Sequence, residues 1–397
     1  NRMFERVHKR LLMNRIKDES RKFIQVIYGP RQVGKTTMVT QFLKDYPFPW
    51  HYASADQIIS DRNAWIAVQW ESARLKINLE KAEEGLLVLD EVQKLENWSE
   101  SVKKEWDDDT FRGVPLKVII LGSSRLLIQK GLTESLAGRF ETIFMEHWSF
   151  TEMQEVYDFD LSDFIWFGGY PGAAQLIGNE ERWKQYVHDS LIETTISRDV
   201  LMLTRVDKPS LLRNLFEIGC QYSAQILSFT KIMGQLQDAG NTTTLAHYLH
   251  LLDTAGLLGG LEKFSPSEIR RRAASPKFQV HNTALMSALS GYTRNEIRTN
   301  PEKWGRWVES AVGAHLLNHS RSGRYKLSYW RERNDEIDFV LSRNEEAIGI
   351  EVKSSFGTGS GGTDAFRTKF SPKRVILVGK SGIPVDTLLK TNPQDLF

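Results

Sequence analysis

The sequence predicts an α/β fold, and three stretches predict it. Phe23-Ile24-Gln25-Val26-Ile27-Tyr28 is a short apolar, β-branched run, the pattern of a buried strand. Gly29 to Thr37 follows with glycine, lysine and threonine at fixed spacing, and Met38, Val39, Phe42 and Leu43 then recur at helical spacing. Two more apolar runs, Leu86–Leu89 and Leu116–Leu121, each end in polar residues, as strands covered on both faces do.

At 397 residues the chain is too long for one core, and roughly two to four domains are expected. With 41% hydrophobic and 26% charged residues it has the composition of a globular protein. A formal net charge of +2 gives no global field for nucleic acid, so any such surface has to be local. The single cysteine, Cys220, excludes an intrachain disulfide and a cysteine metal cluster. No apolar run reaches the length of a membrane span, and the basic, amphipathic N-terminus lacks an apolar signal core. A cytoplasmic protein with no membrane partner is expected.

Phe4, Val7, Leu11, Leu12 and Ile16 recur at helical spacing and predict an N-terminal helix against the core. Gly29-Pro30-Arg31-Gln32-Val33-Gly34-Lys35-Thr36-Thr37 satisfies the phosphate-loop pattern G-x-x-x-x-G-K-[ST]. A strand, a glycine loop and a helix aim backbone N–H groups and a positive helix end at phosphates. Lys35 is expected on the β- and γ-phosphates of ATP, and Thr36 on Mg²⁺. His51–Ala55 reads as a second strand and Trp65–Ala82 as a helix. Asp90 and Glu91 end the next strand, where open α/β sheets bind ligands. Asp90 is expected in the Mg²⁺ shell, and Glu91 as the residue that orients or deprotonates the attacking water. After the strand over 116–122, Ser123 or Ser124 either faces the γ-phosphate or caps the next helix. Arg139, in Glu134-Ser135-Leu136-Ala137-Gly138-Arg139-Phe140, either reaches phosphate oxygens of the same or a neighbouring subunit or stays solvated.

In this order, with Leu89-Asp90-Glu91-Val92-Gln93, Leu121-Gly122-Ser123-Ser124, Leu136-Ala137-Gly138-Arg139 and Phe167-Gly168-Gly169-Tyr170-Pro171-Gly172, the chain resembles a known group. These are the archaeal and bacterial AAA-type ATPases, related to the STAND ATPases, that carry a C-terminal domain of uncharacterised function. The resemblance covers nearly the whole chain. It implies a helical lid after the core, with Gly169-Tyr170-Pro171 as a glycine–proline element beside the adenine. Arg125 departs from the family, which more often has a small residue there. Asn282, in Phe278-Gln279-Val280-His281-Asn282, stands where the family usually has aspartate.

Trp183–Thr204 is expected as one long amphipathic helix with Val187, Leu191, Ile192 and Ile196 on one side. From about Asp207 to Leu261 the pattern is that of a winged helix. One helix is marked by Leu211, Leu215 and Phe216, a second is capped by Ser228, and a third is capped by Asn241 before Leu245, Tyr248 and Leu252. The third helix carries His247, His250 and Asp253, and the basic run Arg270-Arg271-Arg272 lies later. That favours a packing and signalling role over DNA reading.

From about Pro276 the pattern changes again. A helix over Trp304–Asn318 carries Glu309, and strands are expected over 325–331, 336–341 and 348–353. Asp338, Glu351 and Lys353 resemble the PD-(D/E)xK nuclease signature. Glu351 and Lys353, two apart on a strand, project from one face. Asp338 on the neighbouring strand places a second carboxylate beside Glu351, a hard oxygen site for Mg²⁺, with Glu309 as a further ligand. Lys353 would polarise the attacking water.

The expected architecture is therefore a P-loop ATPase core (1–150), a helical lid (151–206), a winged helix (207–275) and a restriction-endonuclease-like domain (276–397). The expected function is an Mg²⁺-ATP-driven switch coupled to a nuclease-like domain that acts on or binds DNA or RNA. The alternatives are a nucleotide-gated scaffold with an inactive, partner-binding C-terminal domain, and a winged-helix DNA-binding regulator. ATP and ADP are the expected small-molecule partners, with a protein partner or a second copy of the chain beside them.

Overall fold

The structure is a computed structural model that describes residues 4–18, 21–57, 64–123, 132, 135–201, 206–236, 241–266, 274–353 and 361–397. Ser124, Arg125, Glu134 and the run 270–272 lie outside the described residues. The chain divides into two compact units, Asn1–Glu146 and His147–Phe397.

The first unit is built on a parallel sheet of β1 (Ile24–Tyr28), β2 (Trp50–Ser54), β3 (Gly85–Asp90), β4 (Leu116–Gly122) and β5 (Phe140–Phe144). The strand order is β2-β3-β4-β1-β5, and every pairing is parallel. β1, β3 and β4 are buried along their whole length, which explains their continuous apolar runs. Alternate side chains serve opposite faces. Val26, Leu87, Leu89, Val118 and Ile120 pack with Trp70 of α3 (Trp65–Glu80) and with Val102 and Trp106 of α4 (Trp98–Arg112). Ile27, Leu86, Val88, Ile119 and Leu121 pack with Leu12 and Ile16 of α1 (Val7–Asp18) and with Met38, Val39 and Phe42 of α2 (Lys35–Lys44). The wholly buried Asp109 is satisfied by Trp70 Nε1 and Arg74 Nε, each at 2.7 Å, so it pins α3 to α4 rather than standing as an unpaired charge.

Register aligns the functional ends of the strands. Asp90 pairs with Leu121 and with Ser54, and Tyr28 pairs with Gly122. The C-terminal ends of β1, β3 and β4 therefore lie abreast, and the segments leaving them meet at one edge of the sheet.

The second unit opens with helices over Phe150–Tyr157 and Leu161–Phe167, both started by capping boxes. Beyond Glu180–Tyr186 the chain does not continue as the single α-helix expected. Residues 187–193 and 195–201 form wider, π-type turns. Val187, the pair Leu191 and Ile192, the pair Thr195 and Ile196, and the pair Asp199 and Val200 are buried. That repeat of four residues or slightly more drifts off one face of a 3.6-residue turn, and a wider turn keeps it aligned.

Helices over Pro209–Gln221, Phe229–Gln235 and Thr242–Thr254 follow, the last two capped by Ser228 and Asn241 as the sequence predicts. A mixed sheet then runs through β6 (Leu258–Lys263), β7 (Lys277–Val280), β8 (Lys326–Glu332), β9 (Asp335–Arg343), β10 (Glu346–Lys353) and β11 (Arg374–Gly379) in the order β11-β10-β9-β8-β6-β7. β6 pairs antiparallel with β7 and parallel with β8, so β6 and β7 share one sheet with β8 to β11. The helix Pro301–His319 packs against this sheet through Val312 and Leu316. Among the described residues, no helix is long and apolar enough to cross a membrane.

Candidate functional site

Residues 29–34 join β1 to α2. A Cβ on Gly29 would lie 2.1 Å from the carbonyl oxygen of Met145, so no larger residue fits this turn. Gly34 caps α2 at φ 90° and, having no side chain, makes no side-chain cap hydrogen bond. The N–H groups of a helix start and its positive end are the elements that bind an anion. Lys35 is buried, and its Nζ donates to the carbonyl oxygens of Gly29 (2.9 Å) and Pro30 (2.6 Å). Arg6 of the N-terminal segment reaches across the loop, donating to the carbonyl oxygens of Val33 (3.2 Å) and Glu146 (3.0 Å).

Thr36 Oγ1 donates to Asp90 Oδ2 at 3.3 Å, bringing together the loop threonine and the first strand-end carboxylate. Tyr52 Oη, from β2, donates to the same oxygen at 2.5 Å. Burial and the neighbouring Asp90 push the Tyr52 hydroxyl upward, so it remains a donor. Glu91 adopts a left-handed backbone at φ 56°. Its Oε2 accepts from Gln93 Nε2 at 2.6 Å and from Ser123 Oγ at 3.3 Å, so Ser123 faces Glu91 at this sheet edge.

Arg139 does not join them. Its carbonyl accepts from Ile24 N at the start of β1, the opposite end of that strand from the loop. Its guanidinium makes two bonds to Asp107, at 2.7 and 3.0 Å. Arg139 therefore stands at the sheet edge opposite the loop and is paired with Asp107. The reason is topological: β5 runs parallel to β1, so a residue preceding β5 lies at the N-terminal edge. Pro171 opens a short turn over Pro171–Leu176 in the second unit. Asn282 accepts from Gly169 N and Ala284 N, both at 3.1 Å, so it works as a packing and capping residue.

A second constellation lies in the second unit. Phe339 pairs with Ile350, so Asp338 and Glu351 follow as the next facing positions. Lys353 Nζ donates to Glu351 Oε1 at 2.6 Å, and Asp338 Oδ2 accepts from Val352 N at 2.8 Å. Burial would lower the Lys353 ammonium, but Glu351, Asp338 and Glu309 outweigh it and raise its pKa. Glu351 is raised by burial and then by Asp338, and Glu309 is pushed up to about 8 by the same two causes. Asp338, Glu351, Lys353 and Glu309 are thus within electrostatic reach of one another.

Their centre holds a residue the sequence did not single out. Lys277, from β7, is wholly buried. Its Nζ donates to Glu309 Oε1 at 2.7 Å and to the Asp338 carbonyl at 3.1 Å. It lies 3.5 Å from Asp338 Oδ1 and 3.9 Å from Glu336 Oε1. Burial alone would lower this ammonium, yet Glu309 and Asp338 hold it well above its ordinary value. The expected Mg²⁺ ligands Asp338, Glu351 and Glu309 therefore each already turn a carboxylate oxygen to a protein donor. Among the described residues, no group of three or more such side chains is arranged to hold a metal ion. With the Lys277 ammonium between Glu309 and Asp338, the three do not fit a divalent ion.

Comparison with known proteins bears on the first site. Residues 21–154 match the AAA domain family. That match spans the strands of the parallel sheet. Residues 158–296 match a domain of unknown function (DUF8612), and residues 304–389 match another (DUF4143). No curated relative matches the chain. Among solved structures, the chain is similar to the RuvB Holliday junction branch migration motor of Thermotoga maritima. That match has 17% identity, covers 64% of this chain and 86% of that one, and has a TM-score of 0.34. The Aeropyrum pernix ORC1 protein in complex with DNA is similar at 11% identity, with 71% and 90% covered and a TM-score of 0.32. Likeness at this level carries no functional argument.

In the first unit the residues present fit Mg²⁺-ATP: a helix start capped by glycine, an ammonium at the loop and a Thr36–Asp90 pair of hard oxygens. Sequence reasoning gave no role to Tyr52, Gln93 or Arg6. Tyr52 could have been found by placing β2 beside β3, since the register that pairs Ser54 with Asp90 directs Tyr52 to the same edge. Lys277 gave no local signal, because it opens a short buried strand far in sequence from the acidic residues it joins.

Proposed function

We propose that the protein is an Mg²⁺-ATP-binding and hydrolysing molecular switch. The observation that carries this is the approach of Thr36 Oγ1 to Asp90 Oδ2 beside the buried Lys35. Thr36 and Asp90 would hold Mg²⁺, which when bound neutralises phosphate charge and orients the β- and γ-oxygens. Lys35 leaves its two loop carbonyls and binds phosphate oxygens. The backbone of Gly29, Pro30, Arg31, Gln32, Val33, Gly34, Thr36 and Thr37 surrounds the phosphates. Glu91 orients the water and takes its proton, with Gln93 and Ser123 fixing the carboxylate. The segment 151–206, including Pro171, is the lid in this reading. Loss of ATP turnover in Glu91→Gln with binding retained tests this assignment.

For the rest of the chain the reading is a winged helix over 207–275 and a restriction-endonuclease-like domain over 276–397 that acts on or binds nucleic acid. Three helices followed by the strand β6 support the first. The clustering of Asp338, Glu351 and Lys353 supports the second. Lys277 favours the other reading, a nucleotide-gated scaffold whose C-terminal domain binds a partner without cleaving. Incubating the protein with DNA and RNA, with Mg²⁺ or Mn²⁺ and with or without ATP, separates them. Cleavage lost in Lys353→Met supports a nuclease; no cleavage in any nucleotide state supports the scaffold.

A further inference from the structure

The C-terminal acidic residues are assembled from distant stretches of chain. Glu309 comes from the helix Pro301–His319, Glu336 and Asp338 from β9, and Glu351 from β10. Four carboxylates this close need positive charge, since isolated ionised groups are strongly disfavoured in a buried setting. Lys353 answers Glu351 at the more open end, where its side chain is about a quarter exposed. At the closed end the charge is supplied by Lys277, whose side chain has no exposed surface and contacts Glu309, Asp338 and Glu336. Lys277 Nζ also lies over the Phe339 ring, 4.8 Å from its centre, so the ring face adds a cation–π attraction to the ion pairs.

We propose that Lys277 is the resident cation of this cluster: it supplies to Glu309 and Asp338 the positive charge that a divalent ion supplies in the nuclease signature, so the cluster is assembled and charge-compensated without metal. The source of the lysine has a consequence. Lys277 lies within the segment 158–296, whereas Glu309, Asp338 and Glu351 lie within 304–389. β7 joins them through β6, which pairs with β8. The C-terminal segment thus borrows a central charge from the segment before it, and movement of β7 would change the charge balance of the cluster.

The test uses the full chain without nucleotide, in EDTA and in millimolar MnCl₂, and reads the thermal midpoint and the Mn²⁺ bound per chain by electron paramagnetic resonance. It does not depend on cleavage, so a failed nuclease reading leaves it standing. Wild type should show the same midpoint of the second unit in both media. Lys277→Met keeps the stem and removes the charge. Its midpoint should fall by about 10 °C in EDTA and recover most of that loss in Mn²⁺, with more Mn²⁺ bound than in wild type. Lys277→Met combined with Glu309→Gln removes both charges and should regain at least half the loss without Mn²⁺. A Lys277→Met midpoint equal to wild type in EDTA, or one that ignores Mn²⁺, overturns the proposal. So does a Mn²⁺ stabilisation of wild type that Asp338→Ala abolishes. If Lys277→Met alone does not fold, the double variant decides: a folded protein supports charge compensation, and an unfolded one shows that Lys277 is needed for packing instead.

Discussion

Replacing Lys35 with methionine keeps the length of the side chain and removes its charge. In the loop the ammonium donates to the Gly29 and Pro30 carbonyls at 2.9 and 2.6 Å, so bonds to phosphate oxygens would replace hydrogen bonds it makes here. Wild-type binding exchanges two carbonyl acceptors for two anionic phosphate oxygens. The variant offers the phosphates no ammonium at all. Hydrogen bonds to charged groups contribute about 1.5–3 kcal/mol each. Two such bonds, offset by the internal pair they replace, leave roughly 3–4 kcal/mol, or about 10²–10³-fold in Kd. The free protein should lose about 1–2 kcal/mol, because the two carbonyls lose their donor. Isothermal titration with ATP at fixed Mg²⁺ measures the first quantity, and thermal unfolding monitored by circular dichroism measures the second. An affinity within about tenfold of wild type, in a folded variant, would refute the assignment of Lys35.

Three further outcomes are expected. Glu91→Gln should bind ATP as wild type does and turn it over about 10²–10⁴-fold more slowly; wild-type turnover in a phosphate-release assay would remove Glu91 from the chemistry. Arg139→Ala should leave ATP affinity unchanged and cost less than about 1 kcal/mol, because its partner Asp107 is partly exposed and its end of the sheet faces away from the loop. A turnover defect that deepens with protein concentration would instead place Arg139 at a neighbouring subunit's nucleotide. His315 is held neutral, its pKa pushed down to about 3 by burial and then by His319, from an ordinary 6.5. The unfolded chain therefore takes up this proton at higher pH than the folded protein does. The stability His315 contributes is complete above pH 6.5 and is lost as pH falls toward 3, roughly 3 kcal/mol by about pH 4. Urea denaturation at several pH values should show a shallower acid loss in His315→Gln, and parallel curves for the two proteins would count against it.

The nucleotide half of the protein was legible because its chemistry is local. Gly29 to Thr37 forms a tight loop and a helix start from consecutive residues alone, so spacing by itself identifies them. Asp90 and Glu91 were legible for a related reason: a continuous apolar run must be a strand covered on both faces, and polar residues ending it must lie at the sheet edge. Asn241 and Ser228 signalled helix starts, because a cap acts on its own next turn.

What spacing left open depends on which strands become neighbours. Arg139 could be considered for phosphate binding until the parallel pairing of β5 with β1 set it at the opposite edge. Tyr52 reached Asp90 only because β2 took the place beside β3. The stretch after Tyr186 kept the apolar positions expected of it, but packing chose the wider turn that aligns them. In the C-terminal cluster the sequence supplied Asp338, Glu351 and Lys353 through a period-two strand pattern. It could not supply Lys277, because the charge of a buried site is balanced in space, and the nearest compensating ammonium lies 32 residues before Glu309 and 61 before Asp338 in the chain.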